Sequence, residues 1–209
     1  MIKPNISIEE CASQIWDVII VGAGTAGGLA AVLLARKKLR VLLVDRQAFL
    51  RPKVCGCCLN GNAIATLKET GLHHLLTENQ AISIHEMCLG SKKINHTFPL
   101  QRQMVLSREC LDSSLIKEAM LEGAFFLDTT LAELGKLTTS SREVFLKQGE
   151  LQLLSTAKIV VAADGLGGRL LVRKNITTHL ASTNTRIGAG VTLLDPPDFY
   201  KNGTLFMTS

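Results

Sequence analysis

The chain has 209 residues, 46% of them hydrophobic and 20% charged, with a net charge of +5. This composition excludes a disordered or fibrous protein and allows one substantial core, or one domain with part of a second. Aromatic residues make up only 4% and the Lys and Arg are scattered, which argues against a nucleic-acid-binding face. The mild positive charge suits anionic cofactor phosphates or a weak peripheral attraction to a membrane surface.

Residues 1–15 read as a polar lead-in, since Met1–Gln14 lacks the apolar stretch of a secretory signal. The six cysteines, at 11, 55, 57, 58, 88 and 110, are therefore expected to be thiols in a reducing, cytoplasmic setting. Residues 18–35, VIIVGAGTAGGLAAVLLA, are uncharged and followed by Arg36, Lys37, Lys38 and Arg40, the length and flanks of a membrane-spanning helix. Four glycines between Gly22 and Gly28 oppose that reading, each weakening a helix by about 1 kcal/mol relative to Ala. The stretch instead divides into a β-rich run (Trp16–Val21), a glycine turn and an Ala/Leu helix (Ala26–Arg36). A second strand, Arg40–Val44, then ends in Asp45. A soluble βαβ unit explains all of this, and no integral membrane span is expected.

Gly22-x-Gly24-x-x-Gly27 lies directly after the first strand and opens the helix. In a dinucleotide fold the first glycine permits the tight turn, the second lets backbone approach a pyrophosphate, and the third packs helix on strand. The helix N-terminus offers N–H groups and partial positive charge to phosphates. Asp45, 18 residues after Gly27, is placed to accept bonds from ribose hydroxyls. Strand, glycine spacing, helix and acid together mark a dinucleotide site, but do not choose between FAD and NAD.

Beyond a loop at residues 46–60, a helix is expected over Gly61–Thr70, with Gly71 as its stop. Residues 81–89 and 93–100 read as a strand pair. A helix beginning at Ser107 puts Leu111, Leu115, Ile116, Ala119 and Met120 on one face and ends at Gly123. Short strands are expected at 124–127, 130–137, 143–147 and 151–154. Ile159–Ala163 then forms a separate parallel-type strand that delivers Asp164-Gly165 at its carboxyl end. Gly188–Leu194 and Thr204–Met207 read as strands of a second sheet, with Asp195–Asp198 as the turn between them.

Gly22–Gly27, the segment Lys53–Leu59 (KVCGCCL), Leu106-Ser-Arg108 and Val161-Ala-Ala-Asp164-Gly165 together resemble the p-hydroxybenzoate-hydroxylase-like FAD enzymes. That superfamily includes aromatic monooxygenases, geranylgeranyl reductases and flavin-dependent halogenases. The resemblance implies a Rossmann-like α/β FAD-binding domain with a parallel sheet (16–180). It implies the beginning of a mixed or antiparallel substrate-domain sheet (181–209). It also implies that Gly22, Gly24, Thr25, Ala26 and Gly27 line the FAD pyrophosphate. Asp45 and Arg46 would serve the adenosine end, Arg108 the FAD phosphates, and Asp164 and Gly165 the ribityl and pyrophosphate region. Three departures accompany it. Gly168 stands where the family usually has Ser, and the chain holds neither a Gly-Asp dipeptide nor an aromatic YxWxFP segment. On that resemblance the sequence reads as C-terminally truncated at Ser209.

Cys55, Cys57 and Cys58 lack the second half-site that a metal would need. The Cys55-x-x-Cys58 spacing lacks a thioredoxin-like βαβ setting. The resemblance implies instead that the loop starting at Cys55 passes close to the isoalloxazine ring. No catalytic residue emerges, and His73 and His74 read as solvated or capping groups near a helix end. The expected protein is an FAD-dependent oxidoreductase acting on a hydrophobic small molecule, with NAD(P)H or another electron donor. The alternative is a non-catalytic remnant of such a flavoprotein with partial or no FAD binding.

Overall fold

The structure is a computed structural model and describes residues 2–53, 55, 57–91, 94–178, 184, 191, 194–195 and 197–208. In chain order its helices are α1 (Ile8–Ala12), α2 (Thr25–Arg36), α3 (Gly61–Glu69), α4 (His74–Glu78), α5 (Arg108–Leu121) and α6 (Arg169–Val172). Its strands are β1 (Ile15–Val21), β2 (Val41–Val44), β3 (Cys58–Leu59), β4 (Ile82–Ser91), β5 (Ile94–Val105), β6 (Phe125–Leu127), β7 (Leu131–Leu137), β8 (Arg142–Gln148), β9 (Leu151–Ala162) and β10 (Thr204–Thr208). They form two compact units, one of residues 1–52 with 112–185 and the other of residues 53–111 with 186–209.

The first unit is built on a six-stranded sheet in the order β6-β2-β1-β9-β8-β7. Its first four strands are parallel, and β9, β8 and β7 continue it antiparallel. Every residue of β2 is buried, and so are Val18–Val21 of β1. Continuous apolar runs of this kind belong to parallel strands covered on both faces. The parallel half agrees with the sequence reading. The separate strands expected at 151–154 and 159–163 are one strand, β9, which pairs with β8 over Leu151–Ala157 and with β1 over Thr156–Ala162. The polar residues between the two runs have partners: Ser155 Oγ donates to the Cys11 carbonyl at 3.0 Å, and Lys158 Nζ reaches Asp17 at 2.6 Å.

The N-terminal lead-in contributes more than its polarity suggested. Ser7 and Glu10 form a reciprocal capping box on α1, and Ile2, Ile6, Ile8 and Cys11 are buried. The Trp16 indole donates to the Cys11 carbonyl at 3.0 Å, and its ring meets Phe125 edge-on. Asn5 brackets the backbone of the edge strand β6, donating to Ala124 O at 3.1 Å and accepting from Phe126 N at 2.7 Å.

The second unit holds a four-stranded mixed sheet ordered β10-β4-β5-β3, with β10 parallel to β4 and the remaining pairs antiparallel. Asn60 caps α3 by accepting from Ala63 N at 2.9 Å, and Gly71 follows the helix at φ +71°. The strand expected at Thr204–Met207 is β10, whereas the one expected at Gly188–Leu194 lies mostly outside the described residues. Val191 and Leu194, which are described, belong to no strand.

Candidate dinucleotide site

The site is built at the carboxyl ends of β1 and β9, in the first unit. β1 delivers Gly22 at φ +106°, where its N–H donates to Val44 O at 2.7 Å. A Cβ there would meet the Ala163 carbonyl carbon at 2.6 Å and Asp164 N at 2.8 Å. Only glycine permits both the left-handed turn and this approach. A Cβ at Gly27 would collide with the Gly22 carbonyl, so α2 can lie against the turn only with glycine at that position. Gly28 brings α2 close to α5, where an added Cβ would stand 2.9 Å from Leu115 Cβ.

Gly24 is the N-cap of α2, and no side chain caps this end among the described residues. The first-turn N–H groups of a helix lack intrahelical acceptors. An uncapped end beside a glycine turn therefore offers donors and positive partial charge to an anion. Thr25 Oγ1 donates to Asp112 Oδ1 at 3.1 Å, tying the turn to α5, while Ala26 is exposed.

Asp45 closes the adjacent side and is 5% exposed. Its Oδ2 accepts from Ala23 N at 2.9 Å and from Arg51 at 3.0 Å, and its Oδ1 accepts from Gln47 N at 3.0 Å. A carboxylate has about four acceptor places. One remains for a ribose hydroxyl, and a second would require Arg51 to swing away. The Arg51 guanidinium also lies over the Phe49 ring, 4.9 Å from its centroid. Buried Asp128 neighbours this group. Its carboxyl is held above the usual range by burial first, with the Asp45 charge adding to the rise and bonds from Thr129 and the Phe49 N–H opposing it.

Ala163 N donates to Val21 O at 2.8 Å, extending the β1–β9 pairing beyond the strand. Asp164 therefore stands next to Gly22, and its Oδ2 accepts from Leu170 N at 2.9 Å at the start of α6. Gly165 follows at φ +85°. The structure thus brings together Gly22, Gly24, Gly27, Asp45, Asp164 and Gly165, with exposed Arg46 directly after Asp45. These residues fit a dinucleotide: a glycine cradle, an uncapped helix end, and a carboxylate with a vacant acceptor place.

Cys55 and Arg108 belong to the second unit. Cys55 is exposed and half-buried Arg108 begins α5. Cys57 sits at φ +54° with its Sγ 3.6 Å from the Cys55 carbonyl, and its own carbonyl accepts from Leu106 N at 3.0 Å. The described cysteines are free thiols. Burial, followed by the neighbouring Cys57 and Cys55, pushes the Cys58 thiol up, away from the depressed range of reactive thiols. Among the described residues no group of His, Cys, Asp or Glu could hold a metal ion, and no helix is long and apolar enough to cross a membrane.

Three residues of the site were not anticipated from sequence: Arg51, Asp112 and Asp128. Arg51 lies in a loop without periodicity. Asp112 begins a polar Asp-Ser-Ser run in a helix read from its apolar face, and all three residues are buried.

A model of the FAD binding domain matches residues 16–206. The chain belongs to this FAD-binding family, within the p-hydroxybenzoate-hydroxylase-like oxidoreductase superfamily. The FixC protein of Escherichia coli O157:H7 is 28% identical over 191 residues, covering 85% of this chain and 43% of FixC. The geranylgeranyl bacteriochlorophyll reductase-like protein Ta0516 of Thermoplasma acidophilum superposes with a TM-score of 0.69 at 20% identity, over 82% of this chain and 44% of that one. Aklavinone-11 hydroxylase, solved with FAD and aklavinone, gives a TM-score of 0.64 at 22% identity, over 77% of this chain and 34% of its own. Both structural likenesses concern the fold. The chain spans 38% to 43% of the length of the first two relatives it matches.

Proposed function

We propose that this chain forms the FAD-binding portion of an FAD-dependent oxidoreductase acting on a hydrophobic small molecule. The observation that carries the reading is the meeting of the Gly22 turn and Asp164-Gly165 at the carboxyl ends of adjacent parallel strands, with Asp45 bonded to the same turn. In open α/β sheets that position is where dinucleotides bind. Backbone N–H groups at Gly24, Thr25, Ala26 and Gly27 would hold the pyrophosphate, and Asp45 a ribose hydroxyl. Arg108 would neutralise phosphate charge, and Asp164 and Gly165 would serve the ribityl side. Arg46 would lie at the adenosine end and the Cys55 loop at the flavin end. Bound FAD would supply the redox chemistry. The protein would bind, orient and exclude water, with NAD(P)H or another donor providing electrons. Monooxygenation and double-bond reduction both accord with neighbours described as a hydroxylase and a reductase-like protein. The proposed compartment is cytoplasmic.

One observation favours a second reading, a remnant that binds FAD weakly or not at all: Arg51 already occupies Asp45. Titration of the purified chain with FAD, followed by flavin fluorescence and visible absorption, separates the two. Saturable uptake at one FAD per chain supports the first reading. Absence of uptake overturns it for this chain.

A further inference from the structure

We infer that a groove in the second unit, lined by none of the residues of the dinucleotide site, binds a small amphipathic anion: a phosphate monoester head on a short apolar body. The groove lies between α3 and the β4–β5 hairpin and has a volume of about 670 Å³, within the ~300–1,000 Å³ typical of small-molecule sites. Four nitrogen-bearing side chains line it, Lys68, His73, His85 and Arg102, and no carboxylate does. Among the described residues, none of the four has a side-chain hydrogen bond or ion pair. Glu86, beside His85, is engaged by Thr204 Oγ1 at 2.9 Å. Lys68 and Arg102 therefore bring positive charge to a concave surface that no carboxylate lines.

The backbone is shaped to present these groups. Ile84 pairs with Gln103 and Glu86 with Pro99, so the single residue His85 faces three on β5, Leu100, Gln101 and Arg102. A bulge of this kind re-aims side chains next to functional sites. Within it Arg102 adopts φ +54°, a left-handed conformation that non-glycine residues rarely hold. Retained outliers of this sort concentrate at ligand sites. His85 is fixed from below: its N–H donates to Gly203 O at 2.8 Å, and a Cβ on Gly203 would meet its ring at 2.9 Å. Lys68 stands in the last turn of α3 and lines the groove.

The donor set selects the ligand. A guanidinium fork, an ammonium and two imidazoles match the several oxygens of a dianionic head better than a single carboxylate. Ile64, Leu100 and Met104 give the remainder of the wall an apolar character that suits an aliphatic body. None of these residues belongs to the dinucleotide site, so the inference stands or falls independently of FAD binding.

The test is calorimetric titration of the full chain with octyl phosphate below its micelle concentration, with octanol and inorganic phosphate as controls. Octyl phosphate is expected to bind at least tenfold more tightly than either control. R102G keeps a residue suited to the left-handed backbone while removing the guanidinium, and K68Q removes the exposed ammonium from a helix surface. Each should weaken octyl phosphate at least fivefold, with far-UV circular dichroism and FAD uptake unchanged. Equal binding of octanol, unaltered affinity in folded R102G and K68Q, or binding only to phosphatidic-acid vesicles would each overturn the assignment.

Discussion

Gly22 and Gly123 offer a controlled measurement of how tightly the glycine turn is packed. Both are in the first unit, at φ +106° and φ +101°, so an alanine at either suffers a backbone penalty. That strain is about 1–3 kcal/mol for a non-glycine residue. The surroundings differ sharply. A Cβ at Gly123 meets nothing within 4 Å, whereas at Gly22 it meets the Ala163 carbonyl and Asp164 N. Backbone atoms cannot rotate aside as a side chain would, so β1 and β9 must part or the turn must open. Overpacking of this kind adds about 1–3 kcal/mol. Gly123→Ala should therefore cost about 1–3 kcal/mol and Gly22→Ala about 2–6 kcal/mol, the sum of the two ranges. Urea denaturation followed by Trp16 fluorescence gives both values on the same cooperative unit. FAD titration should show uptake retained in Gly123→Ala and lost in Gly22→Ala. Equal destabilisation of the two variants, with equal m-values, would refute the claim that the turn is locked against β9.

Asp45→Ala removes an acceptor from Ala23 N, Gln47 N and Arg51, so the urea midpoint should fall by the equivalent of about 1–3 kcal/mol and FAD affinity by at least about tenfold. Asp128 binds its proton more readily in the native state, so its contribution to stability falls as pH rises from the ordinary carboxylate value through the raised one. Asp128→Asn should consequently be more stable than wild type at neutral pH and equal to it below about pH 4, as read from urea midpoints across that range. Burial pushes the Cys11 thiol to about 12, so alkylation with iodoacetamide and mass spectrometry at pH 8 should label Cys11 only as the chain unfolds.

The dinucleotide unit was legible because buried parallel strands write uninterrupted apolar runs, and because its glycines answer to backbone geometry at fixed spacing. Gly61–Glu69, the strand pair around 82–105 and the helix ending before Gly123 were legible from periodicity and stop signals. Continuity of β9 was not, because residues 155–158 interrupt the apolar run, and Ser155 and Lys158 find their partners Cys11 and Asp17 only in the fold. α1 carries a capping signal in Ser7 and Glu10, but its five residues are too few to show a period. Arg51 and Asp112 are invisible to local reasoning: one finds Asp45 across a loop, the other finds Thr25 from a distant helix.

The position of β9 between β1 and β8 has a consequence for synthesis. β1 can pair with β2 as soon as residue 44 has left the ribosome, but its other edge waits for residues 156–162. At roughly 5–20 residues per second, the intervening stretch of about 110 residues takes about 6 to 22 s to appear. Throughout that interval Val18–Val21 presents an apolar edge with no neighbour, a template for pairing with another nascent chain. Ribosomes stalled before residue 150 should therefore carry chains that aggregate, and ribosomes stalled well past residue 162 should carry chains that do not.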